Sequence, residues 1–246
     1  MVSRTARGAR RAATRTRAWV KTRHPWLRRA GLVALGVLAC LLLSIVVFRF
    51  VNPPITTVML VEKLKGYTLR RHWVPLDNIS RNLPLAVIAG EDGHFCDHWG
   101  VDWGAVKDAI KEANGLGFRG ASTIPMQTAK NLYLWKERSY VRKVLEVPLA
   151  YLMSLAWPKR RMMEVYLNIA QWGPGIFGAE AASRYYFHKS AAALSRGEAA
   201  LLAASLPNPR IRNPAKPNPK VRFVARSIER RMAGMADRAS CVLPRR

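Results

Sequence analysis

The sequence predicts a mostly α-helical protein with one membrane-spanning helix near its N-terminus. Three observations support this fold class. An uncharged apolar stretch covers residues 30–48, apolar residues farther along recur at helical intervals of three and four, and alternating strand patterns are scarce. The chain has 246 residues, 50% of them hydrophobic, which suffices for one good-sized domain with an accessory segment and argues against wholesale disorder.

The charge of the chain is strongly basic. Lys and Arg number 41 against 15 Asp and Glu, which gives a formal net charge of +26. Residues 1–29 hold ten of these basic residues and no acid, and they lack apolar periodicity, so we expect a disordered basic arm there. A basic field attracts nucleic acids, anionic lipids and phosphorylated substrates alike, so charge alone does not identify the partner.

The apolar stretch AGLVALGVLACLLLSIVVF is about as long as a helix that crosses the hydrocarbon core of a bilayer. We therefore assign residues 30–50 to a transmembrane helix. No convincing small-x-small cleavage site precedes Asn52, so we expect a permanent anchor and not a signal peptide. The basic arm places the N-terminus in the cytoplasm by the positive-inside rule, and the rest of the chain lies outside, away from genomic DNA and most RNA.

The three cysteines give little indication of a disulfide scaffold. Cys40 falls within the predicted span, which leaves Cys96 and Cys241 as the only pair that could bridge. Two distant thiols do not make a disulfide framework, so we expect two independent thiols.

Beyond the anchor, the chain divides into three predicted parts. Residues 51–81 form a membrane-proximal connector of mixed character, residues 82–214 a helical domain, and residues 215–246 a basic C-terminal extension. The Pro-rich passage NPRIRNPAKPNPK lies at the boundary of the last two parts. One more helix is expected in the extension, near residues 221–235.

Capping residues and apolar spacing predict where the helices of the domain begin and end. Asn82 can cap a helix that has Pro84 in its first turn and ends at Glu91. Asp102 caps a second helix, which the Asn-Gly pair at 114–115 ends. Apolar residues at helical spacing predict two further helices. The first, with a kink at Pro148, contains Val141, Val144, Leu145, Leu149 and Leu152, and the second contains Met162, Val165, Tyr166 and Ile169. The segment EAALLAASL predicts another helix, which begins at the capping box Ser195–Glu198 and ends before Pro207.

The stretch AVIAGEDGHFCDHWGVD, residues 86–102, concentrates acids and histidines in an acid-poor chain. His94, Cys96 and His98 stand at alternate positions, as zinc ligands on an extended segment would, but no second Cys/His pair follows to complete four ligands. The alternative is a polar turn whose histidines hydrogen-bond locally. Glu91 follows a buried apolar run, so its carboxylate can act as a general base; a salt-bridged glutamate at a helix end is the alternative.

The stretch GASTIPMQTAKNLYL, residues 120–134, is a candidate anion cradle. Ser122, Thr123 and Gln127 supply hydroxyl and amide donors, and Lys130 supplies a positive charge. The stretch lacks the Gly-Lys-Ser/Thr ending of a nucleotide P-loop, so a nucleoside triphosphate is not expected.

Soon afterwards ERSYVRKVLE, residues 137–146, combines basic residues with one acid. Arg142 and Lys143 precede Glu146 by four and three positions, so all three can pair on one helix face. Surface ion pairing of this kind is common, and it stands as the alternative to a catalytic role.

Taken together, these stretches resemble the family-51 glycosyltransferases, in particular the monofunctional biosynthetic peptidoglycan transglycosylases. The stretch AVIAGEDGHFCDHWGVD is similar to the family's first motif, an apolar run followed by Glu-Asp-x-x-Phe-x-x-His-x-Gly. The stretch GASTIPMQTAKN is similar to Gly-x-Ser-Thr-x-x-Gln-Gln-x-x-Lys-Asn, and RKVLE is similar to Arg-Lys-x-x-Glu. KRRMMEVYLNIAQWGPGIFGAEAASRYYFHK and EAALLAASLPNP continue the resemblance in the family's order. It covers about residues 83–209. Pro125 and Met126 depart from the pattern, which usually has a hydroxyl residue and a first Gln there; Gln127, the second Gln, remains.

The resemblance implies a lysozyme-like helical glycosyltransferase domain on the periplasmic side of the bacterial cytoplasmic (inner) membrane. The enzyme would polymerise lipid II, a lipid-linked disaccharide-peptide, into β-1,4 glycan strands and release undecaprenyl pyrophosphate. Glu91 would be the general base that deprotonates the acceptor 4-hydroxyl. Glu146 would be the second essential carboxylate, which orients basic groups or helps to bind a divalent cation, Mg or Mn. The expected substrate-binding residues are Asp92, His98, Ser122, Thr123, Gln127, Lys130, Asn131, Arg138, Arg142 and Lys143.

The implied partners are lipid II, the growing glycan chain, membrane lipids, and cell-wall synthesis and division proteins, with no nucleic acid and no organic cofactor. Two rival interpretations stay open. A lysozyme-like glycan-cleaving enzyme would also use a glutamate on a helical fold, but it does not require the cation-rich second and third motifs. A non-catalytic, membrane-anchored protein that binds anionic polymer would leave the five ordered motifs as coincidence.

Overall fold

The computed structural model describes residues 25–113, 122–137 and 139–243. The chain divides into two compact units, Met1–Val47 and Phe48–Arg246. Helix α1, Pro25–Phe48, supplies the described part of the first unit, and its segment Trp26–Phe48 is long and apolar enough to cross a membrane. This is consistent with the predicted single-pass anchor.

The second unit starts with short elements in the predicted connector. Helix α2, Thr57–Leu64, begins where the Thr56 hydroxyl accepts a hydrogen bond from the Met59 amide at 3.2 Å. Strand β1, Arg70–Arg71, and a 3-10 turn at Leu76–Asn78 follow. The predicted connector therefore contains a helix, a strand and a 3-10 turn that belong to the second unit.

A central group of helices surrounds α3, Asn82–Glu91. Helices α9, Arg196–Ser205, and α10, Pro219–Met232, pack on α3 and on each other. Apolar side chains on every side of α3 are buried, which is typical of a helix enclosed by its neighbours. The predicted capping box of α9 is confirmed, since Ser195 and Glu198 exchange both hydrogen bonds. Arg81 stands in the capping position of α3, so the predicted cap at Asn82 is wrong. The Asn82 side chain instead donates its Nδ2–H to the Leu194 carbonyl at 3.0 Å.

A second group of helices completes the unit. Helix α4, Trp103–Ala113, follows the predicted cap, because Asp102 Oδ1 accepts from the Ala105 amide at 2.9 Å. Its predicted end at residues 114–115 lies outside the described residues. Helix α5, Ile124–Tyr133, packs against α6, Tyr140–Ala156, and α7, Lys159–Ile169. Helix α6 runs through Pro148.

The strands form one small sheet beside helix α8, Ala179–Phe187. Strand β3, Ile176–Phe177, lies between β1 and β2, Gln171–Gly173; it runs parallel to β1 and antiparallel to β2. The described residues are thus mostly helical, which confirms the predicted fold class.

The expectation of two independent thiols is wrong, because Cys96 and Cys241 form a disulfide. Their Cα atoms lie 5.7 Å apart although 145 positions separate them in the sequence. The chain after α10 turns back to the loop that follows α3: Val242 is buried, and its carbonyl accepts from Arg160 at 3.0 Å. Spacing along the sequence gives no indication of such a return.

Candidate active site

Glu91 is the last residue of α3 and is partly exposed, as a proton-accepting carboxylate must be. Gln127 on α5 donates its amide Nε2–H to Glu91 Oε2 at 2.8 Å. The hydroxyl of Tyr166, a fully buried residue of α7, donates to Gln127 Oε1 at 3.1 Å. Three helices therefore fix the Glu91 carboxylate through one chain of hydrogen bonds, and Tyr166 determines which end of the Gln127 amide faces it.

The environment raises the pKa of Glu91. Burial of the carboxylate is the largest cause, and the charge of Asp92 adds to it. The hydrogen bond from Gln127 and the positive charges of Lys130 and Arg212 act in the opposite direction. A carboxylate with a raised pKa is a stronger base than an ordinary surface glutamate, and nearby cations keep it available in its ionised form.

Sequence reasoning missed Tyr166 and Arg212 as residues of this site. Tyr166 was predicted only as part of the apolar face of its helix. Arg212 belongs to the basic passage after α9, and its guanidinium donates to the Ala204 carbonyl at 2.8 Å, near the C-terminal end of that helix. The position of the basic passage directly after the last motif was the one available signal.

Asp92 and His98 connect the first motif to the second. The buried Asp92 carboxylate lies 2.9 Å from His98 Nε2 and accepts from the backbone amide of Ile124, the first residue of α5, at 2.8 Å. A carboxylate is favoured at a helix N-terminus because the unpaired amides there carry partial positive charge. Both side chains thus position the loop against α5.

The remaining polar residues of this loop also find local partners. His94 Nδ1 lies 2.9 Å from Asp102 Oδ2, and Cys96 is held in the disulfide, so its thiolate cannot serve as a zinc ligand. The polar-turn alternative accounts for these contacts. Thr123 caps α5 by accepting from the Met126 amide at 3.3 Å, and its hydroxyl donates to the Gly100 carbonyl.

The second carboxylate, Glu146, is buried among cations. Arg142 and Lys143 both bond to it, the Lys143 Nζ at 3.1 Å from Oε2, so the predicted helical pairs are confirmed. Lys143 Nζ also donates to Ser122 Oγ at 2.7 Å. Burial and the charges of Arg142 and Lys130 lower the pKa of Lys143 to about 8. Glu146 thus holds two cations in fixed positions beside a hydroxyl donor, which is an arrangement suited to binding an anion.

Helix α5 unites the two carboxylate centres. Gln127 contacts Glu91, Ser122 before the helix contacts Lys143, and the charge of Lys130 lowers the pKa of both Glu91 and Lys143. One short helix therefore places a proton acceptor and an anion cradle within electrostatic range of a common lysine.

The comparison with known families agrees with this geometry. A family model described as Transglycosylase matches residues 58–236. The chain belongs to the transglycosylase family. The predicted enzyme class, a peptidoglycan glycosyltransferase, is thereby confirmed.

Individual relatives are similar over most of their length. The biosynthetic peptidoglycan transglycosylase of Agrobacterium fabrum is 49% identical over 215 residues, which cover 86% of this chain and 94% of the relative. The protein of the same name from Rhodospirillum centenum is 49% identical over 88% of this chain and 96% of its own length. The protein of the same name from Brucella suis is 46% identical over 86% of this chain and 94% of its own length.

The two departures from the transglycosylase motif lie at the start of α5. Pro125 stands in the first turn of the helix, where its missing N–H costs nothing. Met126 is buried against Val101 and Ala150, with its sulfur 4.0 Å from Lys143 Nζ. Pro125 is buried, and Met126 packs against the Lys143 side of the cradle.

Asn131 is partly exposed on α5, and its backbone carbonyl accepts from the Thr57 hydroxyl at 3.3 Å, which ties α5 to α2. Arg138 lies outside the described residues. The substrate contacts of both residues stay predictions.

Proposed function

We propose that this transglycosylase polymerises lipid II into β-1,4 glycan strands with release of undecaprenyl diphosphate, and that Glu91 is its general base. The observation that carries the proposal is that two unlike carboxylates, Glu91 at the end of α3 and Glu146 on α6, both lie beside α5. Glu91 has a raised pKa and is partly exposed, whereas Glu146 is bonded to two cations. One carboxylate is arranged to accept a proton and the other to organise positive charge.

In the proposed reaction, Glu91 accepts the proton of the acceptor 4-hydroxyl as that oxygen bonds to the anomeric carbon of the donor. The bond between this carbon and the diphosphate oxygen breaks, and its electron pair leaves with the lipid diphosphate. Negative charge on the leaving group grows as the bond breaks, so fixed cations stabilise the transition state more than the bound substrate. Lys143, Ser122 and Lys130 are placed to supply that stabilisation.

The predicted Mg or Mn ion does not fit Glu146 as this residue is arranged. Its carboxylate is bonded to Arg142 and Lys143, and a protein-held metal would have to displace them. Among the residues that the structure describes, no group of three His, Cys, Asp or Glu side chains could hold a metal. We therefore propose that any divalent cation binds the diphosphate of the substrate.

We also propose that the domain lies outside the cytoplasm, anchored in the inner membrane by α1. The disulfide supports this location, since such bonds persist in oxidising compartments and are rare in the cytosol. Rapid thiol alkylation of intact cells, followed by a non-reducing gel, should show Cys96 and Cys241 bridged. Alkylation of both thiols without prior reduction would contradict the location. Contacts with membrane lipids and with cell-wall synthesis or division proteins stay predictions.

The polymerase proposal is tested with full-length protein in detergent, labelled lipid II and a divalent cation. Wild-type protein should yield glycan strands that lysozyme digests. Glu91→Gln should retain lipid II binding and lose about 10²- to 10⁴-fold in rate, the usual contribution of general acid–base catalysis. Activity of Glu91→Gln within about tenfold of wild type would exclude its role as the base. Release of fragments from finished wall would instead support the glycan-cleaving rival.

A further inference from the structure

The loop that follows Glu91, residues 92–102, consists of turns and bends. Its ends are tied to α5: the Asp92 carboxylate accepts from the Ile124 amide at 2.8 Å, and the Gly100 carbonyl accepts from the hydroxyl that caps α5. A segment without regular structure takes its geometry from such tertiary contacts. Because Glu91 stands at the start of this loop, whatever holds the middle of the loop also bears on the base.

Lys159, the first residue of α7, is one support for the middle of the loop. Its Nζ donates to the carbonyls of Phe95 and His98 and lies 4.6 Å from the centre of the Phe95 ring. The Phe95 side chain is buried. An ammonium on a flexible four-carbon stem can follow these carbonyls when they shift, so Lys159 alone does not fix the loop.

The segment after α10, residues 233–243, provides a second support, and we call it the C-terminal strap. Val242 in the strap is buried, and its carbonyl accepts from Arg160 on α7 at 3.0 Å. The disulfide between Cys96 and Cys241 joins the strap to the middle of the loop. The loop is therefore attached by a covalent bond to a segment that α7 already holds.

The bridge closes a ring that starts and ends on α7. Lys159 holds the loop and the adjacent Arg160 holds the strap, so one helix end places both partners of the disulfide side by side. In the chain-entropy account, a disulfide stabilises according to the number of residues that it encloses, wherever it is attached. This one is attached at Cys96, five positions after Glu91, where it limits the movement of the loop beside the base.

We propose that Cys96 and Cys241 are positioning residues: their disulfide holds the loop so that Glu91 and Asp92 face α5 in the catalytic geometry. The enzyme reaches its full rate only when the bridge is closed. The inference rests on the proposed role of Glu91 as the base.

Closure of the bridge is an oxidation of the protein. It removes two electrons and two protons from the pair of thiols, and a disulfide-bearing oxidase outside the cytoplasm takes them up as its own disulfide becomes a dithiol. Full polymerising activity is thereby confined to enzyme that has left the cytoplasm.

The test compares full-length protein with the bridge closed and open, in a Cys40→Ser background so that no third thiol reacts. Both cysteines of the bridge are partly exposed, so dithiothreitol can reach them. The assay temperature is one at which circular dichroism shows both forms folded. Opening the bridge should lower kcat for lipid II polymerisation about ten- to a hundredfold, because a misplacement of about 1 Å can cost about 10²-fold in rate.

The other kinetic readouts separate positioning from stabilisation. The KM for lipid II should stay within about twofold, since Lys143 is held by Glu146 and not by the loop. Reoxidation should restore kcat. Cys96→Ala combined with Cys241→Ala should show the reduced rate without dithiothreitol and should not respond to it. A bridge that only stabilises the fold would give equal kcat for the two folded forms, and that result would overturn the proposal.

Hydrogen exchange measured by mass spectrometry supplies a readout that needs no turnover. Opening the bridge should speed the exchange of amides within residues 92–102, and the amides of α8 are the internal control. Faster exchange in the loop, without polymer from the oxidised wild type, would contradict the polymerase and leave the positioning of the loop standing. Unchanged exchange in the loop would overturn the positioning role whatever the activity.

Discussion

The hydrogen-bond chain from Tyr166 through Gln127 to Glu91 makes a prediction that depends on one hydroxyl group. In Tyr166→Phe, the Gln127 Oε1 loses its donor, and the amide is free to turn its Nε2 away from Glu91. Leaving that oxygen without a partner in a partly buried position should lower the free energy of unfolding by about 1 kcal/mol, the lower end of the cost of an unpaired buried polar group. The fold should survive, because the phenyl ring fills the same space.

The catalytic effect follows from the charge of Glu91. A hydrogen bond to a carboxylate is worth about 1.5–3 kcal/mol, and one pKa unit corresponds to about 1.36 kcal/mol, so its loss should raise the pKa of Glu91 by about one to two units. Since the base must be deprotonated, the acid limb of the profile of kcat/KM against pH should move to higher pH by that amount.

The assay is lipid II polymerisation by full-length protein between about pH 5 and pH 8, the range in which a raised carboxylate pKa is observable. Tyr140→Phe, a change at a residue that is 94% exposed, is the matched control and should leave the profile unchanged. An unshifted acid limb in Tyr166→Phe, with correct folding, would refute the view that Tyr166 acts on the base through Gln127.

Three further predictions concern the disulfide, the cradle and a glycine. Cys96→Ser should lower the free energy of unfolding by about 2–5 kcal/mol in denaturant titrations, whereas Cys40→Ser should not; equal curves for both would refute a stabilising bridge. The pKa of Lys143, lowered to about 8, means that its charge is lost as pH rises through that value, so the KM for the donor should rise above about pH 8 and Lys143→Arg should remove this dependence. Gly100→Ala should lower the melting temperature, because Gly100 has φ +110° and a Cβ there would lie 2.9 Å from the α6 backbone; Gly93→Ala, with open space around it, should not.

The features that could be predicted from the sequence depend on neighbours along the chain. The capping box at Ser195, the cap at Asp102 and the pairing of Arg142 with Glu146 each involve residues three or four positions apart, within one turn of helix. Their geometry is fixed once the helix forms, so the local pattern determines the contact. The same holds for the existence of most helices, whose apolar spacing is visible before any packing is known.

The features that the sequence did not predict depend on contacts between distant segments. Tyr166 reaches Gln127 across 39 positions, and Cys241 reaches Cys96 across 145. Arg212 lies 121 positions after Glu91, in a basic passage where many cations look alike. In each case the residue type was visible, but its partner was decided by how helices pack, which neither spacing nor composition encodes.

The acid-rich stretch after α3 shows how a strongly basic chain uses its few acids. The Asp92 carboxylate bonds to His98 and to the first amide of α5. The Asp102 carboxylate bonds to His94 and to an amide in the first turn of α4. These contacts fix the loop that follows Glu91, and Glu91 itself is left with a neutral amide partner and a raised pKa. Had a lysine or arginine paired with it directly, the pKa would fall and the base would weaken. The basic groups instead surround Glu146, and the separation of these two environments is what lets one short helix serve both proton transfer and anion binding.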